Sequence, residues 1–191
     1  MSTSSCVSLL QAVLPAFGGK LVTDPEATWW VTKAGDFQLE AEPFIRTHSE
    51  GTTFVLECAV GHPEFGRVAN RIAGSPPEDL FCIKWFSLQE DLTSDRPAIS
   101  CLETLMKRGL HDAASEPLSS YVSRLLASRP DRPFLVQVAH LAALAWSGDF
   151  STLLSYEAAF ERGYRLNFVP LITVETIRRA MSETREAAGA T

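Results

Sequence analysis

The stretch Ala27-Thr28-Trp29-Trp30-Val31-Thr32-Lys33-Ala34-Gly35-Asp36-Phe37-Gln38-Leu39-Glu40-Ala41-Glu42-Pro43-Phe44-Ile45-Arg46-Thr47 decides how this chain folds. Its first part is aromatic and β-branched, Ala34-Gly35-Asp36 supplies turn chemistry, and a second extended run starts at Phe37. Phe37, Leu39 and Ala41 occupy odd positions while Asp36, Gln38, Glu40 and Glu42 occupy even ones, so a strand sends the two sets to opposite faces. One sheet face is therefore expected to be acidic. Trp29 and Trp30 are adjacent and point to opposite faces. One packs inward and the other stands beside the acids.

Working outward, Ser49-Glu50-Gly51 turns the chain into a third extended run, Thr52 to Val60, which completes an antiparallel meander. Upstream, Val7, Leu10, Val13 and Leu14 recur at helical spacing behind Ser4 or Ser5 as cap, and Pro15 with Gly18-Gly19 should stop that helix. Downstream, Pro63 opens a short helix and Gly74-Ser75-Pro76-Pro77 breaks it. A fourth strand follows over Leu80-Phe81-Cys82-Ile83-Lys84-Trp85-Phe86. Being apolar on both faces apart from Lys84, it is expected at the centre of the sheet.

From Asp95 the apolar period changes from 2 to 3.6, and five helices are predicted. The best marked begins at Pro133 behind Asp131 and runs to Trp146, apolar on nearly every side apart from Gln137 and His140, so it should lie at the domain centre. The fold class expected is α+β: an N-terminal helix, an antiparallel β meander plus a fourth strand, then a C-terminal all-helical portion packed on the sheet. A single domain over residues 1–191 is the default, β-rich over about 1–90 and helical over about 95–188.

Two stretches carry resemblances. Leu141 to Phe160, with Gly148-Asp149-Phe150 between a small-residue helix and one containing Tyr156, resembles one tetratricopeptide-type hairpin. No second copy occurs at a period near 34, and about three stacked repeats are needed for a solenoid, so an ordinary helical hairpin is expected. The order α-β-β-β-α-β over the first 90 residues looks like that of small acidic secretion chaperones, which hold effector proteins in bacteria. That resemblance implies an effector-binding role.

Composition bounds the function. The chain has 191 residues, 46% hydrophobic and 21% charged, with a formal net charge of −6 and a pI near 5.2. This balance argues against nucleic acid or an anionic membrane as partner and favours a basic one. No Lys or Arg precedes Lys20, so a secretory leader is not expected, and no window reaches the ~18 consecutive apolar residues of a membrane span. A cytoplasmic protein is the expectation. Cys6, Cys58, Cys82 and Cys101 show no C-x-x-C spacing, and Cys58 and Cys82 sit in apolar runs, so inert buried thiols are expected rather than a disulfide or metal site.

No catalytic signature is present. The patterns H-E-x-x-H, G-x-S-x-G and G-x-G-x-x-G are absent, and Gly18-Gly19-Lys20 lacks the strand and Ser/Thr of a phosphate loop. His140 reads as a satisfied core residue, while His48 and His111 read as loop residues. A Cys58–His62 nucleophile and base pair lacks a third, orienting group. No metal or cofactor is expected.

Charge is more informative. Between Asp24 and Glu57 lie seven acids, Asp24, Glu26, Asp36, Glu40, Glu42, Glu50 and Glu57, against two bases, Lys33 and Arg46. The rest of the chain is nearly neutral. The reading that follows is a non-enzymatic, cytoplasmic protein-binding domain of the bacterial toxin-immunity or antitoxin kind. It would mask a basic partner through Asp36, Gln38, Glu40, Glu42, Glu57, Trp29 and Trp30. A secretion-chaperone-type protein and a small enzyme with an unrecognised site are the alternatives, and the sequence leaves a homodimer open.

Overall fold

A computed structural model of the chain describes residues 3–25, 27–49, 51–92, 98–127 and 133–189, and the side chains among these outside 3–7 and 185–189. Glu26, Glu50, Asp95 and Asp131, used above, lie outside the described residues. The fold is α+β. A helix, α1 (Thr3–Phe17), precedes the strands β1 (Lys20–Thr23), β2 (Thr28–Ala34), β3 (Phe37–His48) and β4 (Gly51–Gly61). Then come α2 (Pro63–Ala73), β5 (Lys84–Leu92) and the helices α3 (Ala98–Ala114), α4 (Leu118–Ala127), α5 (Phe134–Ser147), α6 (Phe150–Glu161) and α7 (Val174–Gly189). The chain groups into two compact units, residues 1–61 with 82–116 and residues 62–81 with 117–191.

The first unit is a five-stranded antiparallel meander in the order β1-β2-β3-β4-β5, with α1 and α3 packed against it. Two features differ from the sequence reading. Lys20–Thr23 is a strand, pairing Lys20 with Val31 and Thr23 with Thr28, so the N-terminal order carries one strand more than the secretion-chaperone pattern. The last strand begins at Lys84 rather than Leu80 and lies at the sheet edge rather than its centre. Its apolar start, Leu80 to Ile83, precedes the strand. The segment that pairs with β4 is an alternating one, half exposed.

Hairpin chemistry sets the register. Gly35, at φ +62°, and Asp36 form a two-residue turn between the paired Ala34 and Phe37, the position where a glycine of positive φ matches strand twist. Pairing of β2 with β3 ends at Trp30–Ala41, so Pro43 sits where its missing N–H removes no bond to β2. The inner face is built from Trp30, Leu39, Ala41, Phe54, Leu56, Cys58 and Val60, all nearly or fully buried. Helix α3 closes on it with Cys101, Leu102, Leu105 and Met106. A Cβ added at Gly109 would stand 3.5 Å from Cys58 Sγ and 3.6 Å from Leu56 Cδ2, so the helix backbone approaches the strands closely there. Each large apolar side chain so buried contributes about 2 kcal/mol. Lys84 shares the parity of the inner face, yet its ammonium reaches the C-terminal end of α3, donating to the Asp112 carbonyl at 2.7 Å, where a cation is favoured.

Trp30 anchors the start of the sheet. Its Nε1 donates to the Gly18 carbonyl at 2.8 Å, and its ring meets Phe17 edge-on at 6.2 Å. Gly19, at φ +86°, leaves no room for a side chain: an added Cβ would lie 2.6 Å from Trp30 Nε1, and nearer still to the Val31 carbonyl oxygen.

The second unit is helical around α5, against which α2, α4, α6 and α7 pack. Residues Gln137 to Ala145 are buried without a break, while Leu135 and Trp146 towards its ends are exposed. His140 is held on both nitrogens, Nδ1 at 2.8 Å from the Leu125 carbonyl and Nε2 at 3.1 Å from the Tyr156 hydroxyl, which makes it a satisfied core residue. Gly148, at φ +75°, ends α5, and Asp149 starts α6 by accepting from the Thr152 N–H at 3.1 Å. Hydrogen bonds from the Thr152 hydroxyl, then the Thr152 N–H and the Ser151 hydroxyl, hold the Asp149 carboxyl below its usual range.

Gly19→Ala should therefore lower stability by roughly 2 kcal/mol or more in denaturant titration, because both the backbone and the indole of Trp30 must move. An unchanged midpoint would contradict the account of this corner. Asp149→Ala should cost about 1 kcal/mol near neutrality. That difference should persist above the ordinary carboxylate range and fade as pH falls through the lowered value for Asp149, where the native carboxylate itself becomes protonated.

Candidate functional site

Alternation along β3, β4 and β5 carries the chemistry to the outer face of the sheet. Across the strands, Val31 pairs with Glu40, Glu40 with Ala59, and Ala59 with Trp85. The neighbouring row pairs Glu42 with Glu57 and Glu57 with Ser87. Trp29 stands next to Glu42, one residue beyond the last pair of β2 with β3. Trp29, Glu40, Ala41, Glu42, Glu57, Ala59 and Trp85 line one open depression of about 200 Å³.

Its electrostatics are one-sided. Glu42 and Glu57 are direct cross-strand partners, an arrangement of like charges that is unfavourable in a sheet. Glu40 receives a hydrogen bond from Gln38 Nε2 at 2.9 Å, from a neutral donor. Among the described residues, no Lys or Arg forms an ion pair with Glu40, Glu42 or Glu57. Nor does any group of three or more His, Cys, Asp or Glu side chains converge as metal ligands would.

Of the seven residues singled out in the sequence, Trp29, Glu40, Glu42 and Glu57 meet at this depression, with Gln38 bonded to Glu40. Asp36 does not join them; it is exposed in the β2–β3 turn, off the ladder of side chains. Trp30 is fully buried and hydrogen-bonded on the inner face, so it offers no surface to a partner. The tryptophan that completes the site is Trp85, 62% exposed. Its signal was present: Trp85, Ser87, Gln89 and Asp91 share one parity, with Phe86 and Leu88 on the other. The apolar run before Lys84 masked it.

Other candidates resolve into structural roles. His48 Nε2 lies 3.0 Å from Thr53 Oγ1, and that hydroxyl donates to Asp91 at 3.0 Å. Thr53 is only 5% exposed while His48 and Asp91 are exposed, so the chain of bonds ties β3, β4 and β5 together at the surface. His62 Nδ1 accepts from the Phe65 N–H at 3.3 Å and caps α2. Cys58 is fully buried, and burial, with Asp112 and Glu57 nearby, pushes its thiol up to about 12, the wrong direction for a nucleophile. Cys82, expected to be buried, is exposed, since the strand starts after it. Its thiol is also raised, chiefly by desolvation.

A family model described as a family of unknown function, DUF6990, matches residues 5–184. The chain belongs to this family. Comparison with curated proteins and with solved structures found no match. The span matched to DUF6990 includes every residue of the depression. No helix among the described residues is long and apolar enough to cross a membrane.

Three measurements check these assignments. Glu57→Gln removes one of two opposed carboxylates and should raise stability by about 0.5 kcal/mol at low ionic strength, with a smaller gain at high salt; a loss at low salt would show that Glu57 is paired. Alkylation of the native protein at pH 8 should mark Cys82 and spare Cys58 and Cys101. The sign for Cys58 follows from its raised value: its share of stability is complete below its ordinary 9.0 and is lost as pH rises from there through about 12. Cys58→Ala should remove one proton's worth of that alkaline slope.

Proposed function

We propose that this chain is a non-enzymatic protein-binding protein that masks a basic partner through the outer face of its meander, as a bacterial toxin-immunity or antitoxin protein working in the cytoplasm would. The observation that carries this reading is the depression in which Glu40, Glu42 and Glu57, none paired with a described cation, stand between Trp29 and the exposed Trp85. A face kept charged merely for solubility has no use for an exposed indole, and one apolar enough to aggregate would not carry three acids. Together they suit an interface in which an aromatic anchor is set in a field that steers and selects a cationic surface.

The alignment of charge supports protein rather than nucleic acid as the partner, because phosphates would be repelled by this face. Opposed carboxylates support it as well. Their mutual repulsion is an unfavourable term in the free protein that a bound cation removes, so binding gains what folding gave up.

The test is capture by the purified full chain from an extract of its own cells, with the retained proteins identified and Glu40→Lys/Glu42→Lys run beside the wild type. A protein of net positive charge should be held by the wild type at low salt, released as salt rises, and lost from the double variant. The variant's melting temperature should stay nearly unchanged, since Glu42 is exposed and Glu40 half-buried on the outer face, and substitutions away from the core usually shift stability within about 0.5 kcal/mol. Equal retention by both proteins would overturn the reading.

A further inference from the structure

The depression has a floor and two walls that differ in chemistry, and this difference narrows its occupant. Ala59 stands in one cross-strand row between Glu40 and Trp85, and the next row carries Glu42 and Glu57. A methyl among long side chains makes the well, and the indoles of Trp29 on β2 and Trp85 on β5 bound it. Carboxylates alone would be ordinary solvated residues. The indoles and the well beside them are what distinguish this spot from the rest of the acidic face.

Its size of about 200 Å³ falls below the roughly 300–1,000 Å³ of most small-molecule pockets. It is also too small for an α-helix, about 10 Å across with its side chains. One long side chain fits. The acids do not converge as metal ligands, so the cation they suit is an extended organic one. Glu42 and Glu57 face each other across two strands with Glu40 beside them, so the occupant must donate in more than one direction while presenting a flat face to an indole. A guanidinium does both, with five N–H donors in one plane and weak hydration. An ammonium carries three donors and a tighter water shell.

We propose that the well at Ala59, between Trp29 and Trp85, is a socket for a single arginine side chain of the partner. This rests on the reading of the acidic face as a protein-binding surface and names the group that anchors it there. The guanidinium packs on indole and bonds to the carboxylates, and its aliphatic stem covers Ala59.

The experiment uses the full chain and three capped tripeptides, glycine-X-glycine with X arginine, lysine or citrulline, followed through the indole N–H signals of the protein. Four tryptophans are present, and Trp→Phe variants assign them. The arginine peptide should move the signals of Trp29 and Trp85 and leave those of Trp30 and Trp146 in place. The lysine peptide should bind at least about threefold more weakly and the citrulline peptide should have no effect, because the site selects a planar cation. Ala59→Ile fills the well without changing charge and suits a strand, so it should weaken arginine binding by about tenfold or more with the melting temperature retained. Should that variant melt early, Trp85→Ala, at an exposed position, must show the same weakening.

Motionless Trp29 and Trp85 signals at tens of millimolar peptide would overturn the socket. So would lysine or citrulline binding as well as arginine, or full binding by the filled variant. If the socket fails in this way while Glu40→Lys/Glu42→Lys still abolishes capture of the basic protein, the acidic face remains the binding surface without an arginine anchor. If both fail, both proposals fall.

Discussion

Burial of Leu39, Leu56 and Cys58 against α3 is the constraint on which the outer face depends. Side chains in a strand alternate, so fixing these three inward fixes Glu40, Glu42, Glu57 and Ala59 outward with no further instruction. A slip of one residue in β3 would bury two carboxylates and expose Leu39 and Ala41. Several buried apolar groups at about 2 kcal/mol each oppose that slip. The cross-strand repulsion between Glu42 and Glu57, a fraction of a kcal/mol up to about 1, is too small to compete. The core can therefore hold an unfavourable charge arrangement in a fixed position. That rigidity suits a binding surface, because groups presented by paired strands lose little freedom when a partner arrives.

How much of this was legible follows from where the deciding information lies. The acidic parity of β3 is local, and so are the Gly35-Asp36 turn, the all-round apolar character of α5 and the stop at Gly148; each could be read along the chain and each appears in the fold. The assignment of Trp29 and Trp30 to opposite faces was legible too, but not which of them faced inward. That choice is made at a distance, by the Gly18 carbonyl and the bare backbone at Gly19, which receive the Trp30 indole.

The failures share a cause. Lys20–Thr23 is only four residues long and partly exposed, so its strand character comes from pairing with β2 rather than from its own pattern. Leu80 to Phe86 reads as a buried strand because its residues are apolar, yet the paired register with β4 begins at Lys84, preceded by one bond from the Ile83 N–H to the Val60 carbonyl at 2.8 Å. The frame of β5 was thus set by pairing rather than by composition. A frame begun at Leu80 buries Cys82 and hides the outward position of Trp85, although Trp85 to Asp91 alternate in the sequence.

An exposed tryptophan on an edge strand is ordinarily a hazard, since unpaired backbone and apolar surface together invite a second copy. Here the surrounding charge opposes that outcome. Two copies meeting through this face would bring Glu40, Glu42 and Glu57 against their equals in a contact from which water is leaving, where like charges repel more strongly than in bulk. The same field that would draw a basic surface toward Trp85 repels another molecule of this chain. A homodimer built on this face is therefore disfavoured by the same acids proposed to select its partner, and they do for self-association what Lys or Pro does at other sheet edges.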